Sequence, residues 1–326
     1  MMQRIKGWEI MSEIDEILEA MEDVGIPSKD PKDLPKSDKT FPDGANYRME
    51  ISGIERPSTL RALIEEREKR NIPIHRLIST VMGSTYLTDD ELEEFAQLAH
   101  DNDMEVIITP GPRSGWNTGR QIATPEGALS GLRVRGSDNL VRAFKDIKRC
   151  IDFGFRGFLV TDEGMLWLAD ELKKKGLIPE DITFKVSIYA GHANAAGGKL
   201  LEDLGAGTFN PLGDISIPMF ASIRKAIDIP IDIHIELAES MGGFNRFYEG
   251  PEMARVASPC YFKIEPGEGL AATGGMYKPW TDPEFLQFLA KEKVKHAEII
   301  HDIIQDEYPD LKLSDHGAED LCIPQP

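Results

Sequence analysis

The 326-residue chain carries 37 Lys and Arg against 56 Asp and Glu, a formal net charge of −19. So acidic a surface repels nucleic acid and anionic membranes, and neither is expected as a partner. Hydrophobic residues make up 41% of the chain, enough for a sizeable core, yet no run approaches the roughly 18 apolar residues of a membrane span. Cys150, Cys260 and Cys322 are too few and too scattered for a disulfide framework, a paired-cysteine zinc site or an iron–sulfur cluster. The opening MMQRIKGWEIM has no signal-peptide core, so a cytoplasmic protein is expected.

Trp8, Ile10, Met11, Ile14, Ile17, Leu18, Met21 and Val24 recur at helical spacing between acidic residues, which predicts one amphipathic helix. The Pro- and Lys-rich PSKDPKDLPKSDKTFPDG then forms a surface connector. Residues 1–45 are therefore an N-terminal helical extension. It packs either on the rest of its own chain or on a second subunit, and the second option makes a homo-oligomer.

From Tyr47 onward, short β-like runs alternate with helix-like stretches. Strand starts at Tyr47, His75, Met104, Phe155, Thr183, Gly207, Pro230 and Cys260 give spacings of 28, 29, 51, 28, 24, 23 and 30. TDPEFLQFLAKEKVKHAEIIHDIIQDE supplies the eighth helix. Strict βα alternation predicts a parallel sheet, and eight units in about 250 residues is the count of an α/β (β/α)₈ TIM barrel. The barrel spans residues 46–313, with a polar tail over 314–326. A doubly wound open sheet also alternates, but it shows five or six strands and a Gly-rich first turn. The first strand here ends SGIERPS, without G-x-G-x-x-G, and neither a nicotinamide nor a flavin is expected.

Within the strands, residues i and i+2 share a face. In IDIHIEL, Ile231, Ile233 and Ile235 oppose Asp232, His234 and Glu236. Phe184, Val186 and Ile188 likewise oppose Lys185, Ser187 and Tyr189; Phe262 and Ile264 oppose Tyr261, Lys263 and Glu265; Met49 and Ile51 oppose Arg48, Glu50 and Ser52. In a closed barrel the apolar face meets the helices, so the polar face points inward, where aliphatic layers are usual. Buried charges are costly unless paired, metal-bound or used in chemistry. Arg48, Lys185 and Asp232, near strand starts, are read as a structural ion network. Glu50, His234, Glu236, Lys263 and Glu265, nearer the C-terminal ends where barrels keep their sites, are read as catalytic.

Two chemistries fit. A divalent metal (Mg, Mn or Zn) held by some of Glu50, Asp162, His234, Glu236 and Glu265 would polarise a carbonyl. Alternatively Lys263, its pKa lowered by burial, forms a Schiff base or acts as base beside Glu265, with His234 shuttling the proton. Substitutions Glu236→Gln and Lys263→Met are expected to abolish turnover. Loops add anion contacts: Gly242, Gly243 and Arg246 after strand seven, and Arg113 and Arg120 in the long insertion after strand three. Tyr189, His192 and Asn210 complete the substrate-binding set. Asp162 and Glu163 can equally cap a helix.

The stretch LEDLGAGTFNPLGDISIPMFASIRKAIDIPIDIHIE resembles the barrel segment of the collagenase-like peptidase family of undefined catalytic type. The resemblance spans strands four to eight and implies the same barrel. The chain departs from that family where IDIHIE runs into LAESMGG, with no cysteine until Cys260, so peptide cleavage is not implied. Three functions stand: a lyase or isomerase acting beside the carbonyl of a small carboxylated or phosphorylated metabolite; a hydrolase of the collagenase-like kind; and a non-catalytic barrel, whose inward charges would all be paired.

Overall fold

The computed structural model describes residues 14–79, 84–111, 132–237, 243–265 and 282–326. Its strands are β1 (Tyr47–Ser52), β2 (Arg76–Ser79), β3 (Glu105–Ile108), β4 (Gly157–Val160), β5 (Thr183–Val186), β6 (Thr208–Phe209), β7 (Ile231–Leu237), β8 (Phe244–Asn245) and β9 (Cys260–Ile264). Eight of them pair in parallel in the order β6-β5-β4-β3-β2-β1-β9-β7, and the Phe209–Ile231 pairing of β6 with β7 closes the ring. The molecule is thus a (β/α)₈ barrel and not an open sheet. Five strands begin one or two residues later than predicted, and Tyr47, Thr183 and Cys260 start theirs as predicted. The short antiparallel β8, absent from the prediction, pairs Asn245 with Glu236 and Phe244 with Leu237 at the end of β7.

The helices between the strands are α1 (Pro57–Arg70), α2 (Asp89–Asp101), α3 (Ser137–Asp152), α4 (Glu163–Lys174), α5 (Ala195–Asp203), α6 (Ile217–Ala226), α7 (Gly250–Ala257) and α8 (Pro283–Glu307). Their starts follow local chemistry. Thr88 and Glu91 form a capping box at α2, and the side chains of Asp162, Asn194 and Asp282 cap α4, α5 and α8. Residues 14–23 form a helix ahead of the barrel.

Strand alternation sorts the interior as the sequence implies. Met49, Ile51, Leu77, Val106, Phe158, Phe184, Ile233 and Phe262 join helix residues in one continuous outer core. Inside the barrel, Ile78, Ile107 and Leu159 make a small apolar patch on the β2–β4 side. Charged groups fill the rest. Residues after α8 fold across the floor, the end that the strands enter. Leu313 bridges Tyr47, Asp320 accepts from Arg48 at 2.6 and 2.9 Å, and Glu105 accepts from the Cys322 backbone N–H at 3.0 Å. Leu321, in the segment read from sequence as a polar tail, is buried there.

Candidate active site

Two layers of charge fill the barrel, and they differ in kind. The lower one is a closed ion network. Arg76 Nη1 donates to Glu50 at 3.0 Å and to Asp232 at 2.7 Å, while its Nε meets Glu105. Lys185 Nζ lies 2.8 Å from both Glu50 and Asp232, and Thr208 donates to Asp232 at 2.6 Å. The Tyr261 ring lies 3.5 Å beneath the Arg76 guanidinium. Burial pushes the Glu50 carboxyl up, but Lys185, Arg76 and Lys263 outweigh it and hold the group at about 2. Glu50 was expected at the mouth with the catalytic groups. It belongs instead to this network, because both its oxygens are taken by Lys185 and one also by Arg76. Arg76 and Glu105 complete the network. The sequence concealed both, since β2 and β3 lack clean polar–apolar alternation.

The upper layer lies at the C-terminal ends of the strands. Lys263 Nζ is 3.1 Å from Glu265 Oε2, and His234 Nε2 is 3.6 Å from the same oxygen. Asn210 donates its amide N–H to His234 Nδ1 at 3.1 Å and to the Asp232 carbonyl at 3.2 Å. With Nδ1 accepting, the imidazole carries its proton on Nε2, toward Glu265. Burial and the Lys263 charge pull His234 down to about 4, so it is neutral at pH 7. Burial also works against the Lys263 ammonium, but Glu265 and Glu50 overcome it and raise its pKa. Glu265 is held well below the usual carboxylate range, because Lys263 and His234 together exceed its burial cost. An amine so stabilised as ammonium is a poor Schiff-base nucleophile, contrary to the lowered pKa expected from burial alone.

Four inward side chains at this level carry a buried polar atom without a hydrogen-bond partner among the described residues: Ser52 Oγ, Thr109 Oγ1, Asn210 Oδ1 and Glu265 Oε2. Ser52 ends β1, and Thr109, Asn210 and Glu265 directly follow β3, β6 and β9, so all four stand at the C-terminal mouth. Glu265 Oε2 stands within ion-pair distance of Lys263 and His234 without hydrogen-bond alignment to either. Orphaned buried polar atoms are costly and therefore mark places where a ligand completes the bonding.

Glu236 departs from the predicted set. The register between β7 and β9 shifts between His234 and Glu236, so Glu236 pairs with the outward Ile264. Such a slip moves a side chain to the opposite face. Its carboxylate meets His296 Nδ1 on α8 at 2.7 Å, outside the barrel. Asp162 spends one oxygen capping α4 at Met165 N–H and the other on Val134 N–H. With Glu50 tied up below, the five metal-ligand candidates reduce to His234 and Glu265. That pair already faces an ammonium, and no group of three ligating side chains exists among the described residues. Among the described residues, the donor set does not fit a divalent ion.

The loop residues also differ from expectation. Arg246, read as an anion ligand, donates to the Gly213 and Ile215 carbonyls at 3.0 and 2.8 Å and pairs with Glu249. Those bonds pin β8 to the loop after β6. Gly243 is a turn residue with φ of 65°. His192 Nε2 donates to Glu163 Oε1 at 2.5 Å, and Glu163 also accepts from Arg133, so the β4 and β5 loops are joined at the mouth. Tyr189 lies half-buried in a short 3₁₀ turn after β5. Arg113, Arg120 and Gly242 fall outside the described residues.

One group escaped the sequence altogether. Lys293 on α8 is buried, and its Nζ donates to the Ser52 carbonyl at 2.8 Å, at the end of β1. Burial lowers it to about 8 despite nearby Glu265, Glu55 and Glu236. Its signal was a charge in the apolar stripe formed by Ala290, Val294, Ala297 and Ile300.

No family model matches the chain, nor does any curated protein. Among solved structures, the chain is similar to the YdjI aldolase from Escherichia coli K12, at 13% identity and a TM-score of 0.43, over 82% of this chain and 94% of that one. It is similar to the U32 peptidase Mk0906 at 15% identity and a TM-score of 0.38, over 64% of this chain and 75% of that one. The carboxyl transferase domain of Rhizobium etli pyruvate carboxylase shares 13% identity at a TM-score of 0.43, over 83% of this chain and 49% of that one. At such identities the likeness concerns the course of the backbone and not the chemistry.

Proposed function

We propose that this barrel is an enzyme of lyase or isomerase type, moving a proton beside the carbonyl of a small anionic metabolite. The observation that carries the reading is the mouth itself: three buried polar atoms, Ser52 Oγ, Thr109 Oγ1 and Asn210 Oδ1, without a partner among the described residues, around an ion-paired Lys263–Glu265–His234 group. A non-catalytic barrel would leave its inward polar groups paired, as the lower network is.

The ammonium of Lys263 is placed to stabilise charge that builds on a carbonyl oxygen when a neighbouring C–H or C–C bond releases its electrons. As that oxygen takes over an ammonium N–H, Glu265 loses part of its partner and becomes more basic. The released proton passes to Glu265, while neutral His234, whose orientation Asn210 fixes, turns its Nε2–H toward the same carboxylate. Returned to a neighbouring atom, the proton completes an isomerisation; delivered to the departing fragment, it completes a cleavage. Ser52, Thr109 and Asn210 would hold the substrate's hydroxyl or carbonyl groups. The anionic end is assigned to Arg113 and Arg120.

The test is solvent exchange. The full chain is incubated in D₂O with a panel of 2-oxo and hydroxycarbonyl carboxylates and phosphates, and deuterium beside the carbonyl is read by NMR. Exchange with at least one member is expected, falling by roughly 100- to 1000-fold in Lys263→Met while circular dichroism is unchanged. No exchange with any member, or full exchange by folded Lys263→Met, overturns the proposal.

A further inference from the structure

The first described helix is hard to account for within one chain. Every residue from Ile14 to Ala20 is exposed, Ile17 by 60%. Ile14, Ile17, Leu18 and Met21 fall on one face, spaced i, i+3, i+4 and i+7. The opposite face carries Asp15, Glu16, Glu19, Glu22 and Asp23, with no base among them. A helix this short is marginal in water and ordinarily owes its existence to packing of its apolar face. Here Ile14, Ile17 and Leu18 stand exposed, and among the described residues only the end of the face reaches the barrel, where half-buried Met21 lines a cleft with Ala195 and Met219. Its last turn and the segment after it are tied to α6, where Glu22 approaches Lys225 and Asp30 accepts from Ser222 at 2.6 Å.

A second unpartnered feature lies further round the barrel. Helices α3 and α4 scarcely touch, and between them runs a trough of about 710 Å³. Leu140, Val141, Phe144, Leu168, Leu172 and Leu177 line it, and Val141 is 68% exposed. Lys145, Lys148 and Arg149 stand along it with one acid, Asp152. A groove of this composition receives an amphipathic helix by its apolar face. The tether at α6 ties each chain's own helix to the α5–α6 side, away from this trough.

We propose that the N-terminal helix of one copy lies in the α3–α4 trough of a second copy. Charge supports that occupant: a helix with five acids and no base lies along a trough flanked by Lys145 and Lys148, in a protein whose net charge of −19 would otherwise hold copies apart. The contact is heterologous, joining different surfaces of the two copies, so it builds a ring or a chain of subunits.

That asymmetry gives the test. Wild-type full chain should sediment as an oligomer whose mass falls at high salt. Ile17→Asp spoils only the helix and Val141→Asp only the trough, and both residues are exposed enough that the fold stands. Each variant alone is expected to associate at least roughly tenfold more weakly than wild type. Mixed together, they should form a one-to-one dimer that grows no further, through the intact trough of Ile17→Asp and the intact helix of Val141→Asp. A monomeric wild type overturns the proposal. So does a mixture that stays monomeric, or a Val141→Asp variant that assembles like wild type, which would place the helix against another helix or another face.

Discussion

Lys185→Met tests whether the lower layer is structural. The lysine bridges Glu50 and Asp232, each 2.8 Å away, and all three groups are fully buried. Methionine keeps the volume and removes the charge, so two carboxylates lose a shared cation in a site closed to water. Breaking a buried pair from one side costs about 3–5 kcal/mol. At on the order of 2–3 °C per kcal/mol for a chain of this size, the melting temperature should fall by about 6–15 °C. The pH dependence has a definite sign. In the wild type, Glu50 sits at about 2, below its unfolded value, so its contribution is full above that unfolded value and is lost as pH falls through about 2. In the variant, burial is less opposed and the folded pKa rises, so protonation relieves the strain. The gap between the proteins should therefore narrow from pH 7 to pH 4 in urea unfolding, and adding Glu50→Gln should recover part of it. Equal stability at pH 7, or a gap independent of pH, would refute the ion-network account.

Glu236→Gln should leave turnover within about threefold, since its carboxylate faces His296 outside the barrel; a loss beyond 100-fold would return it to the reacting centre. Lys293 titrates lower folded than unfolded, so stability should climb between about pH 8 and 10.5, and Lys293→Met should flatten that stretch of the urea-midpoint profile. Dialysis against EDTA is expected to leave activity unchanged, because no group of three ligating side chains exists among the described residues; activity lost and then restored by a single divalent ion would contradict the donor analysis.

The barrel was legible because its evidence is periodic. Eight spaced β-like runs and the alternation in IDIHIEL and CYFKI each report a backbone geometry that needs no partner to be recognised. The inward placement of His234, Lys263 and Glu265 followed directly. Depth was not legible, because register between strands is set by pairing and not by any one strand's sequence. That is why Glu50 was placed too high. Glu236 failed for a related reason: a one-residue irregularity in β7 is invisible in a perfectly alternating run. Arg246 shows a third limit, since an arginine in a glycine loop looks the same whether it binds an anion or two carbonyls.

The floor of the barrel has a bearing on how the molecule is made. Arg48 leaves the ribosome well before its partner Asp320, which lies 272 positions downstream. Until that late segment arrives, the Arg48 guanidinium has the more distant Asp43 at 3.7 Å and lacks its two-pronged carboxylate partner. Contacts so distant along the chain slow folding and tie it to a single cooperative event. Half-barrels assembled in order of synthesis are therefore not expected to persist as stable intermediates.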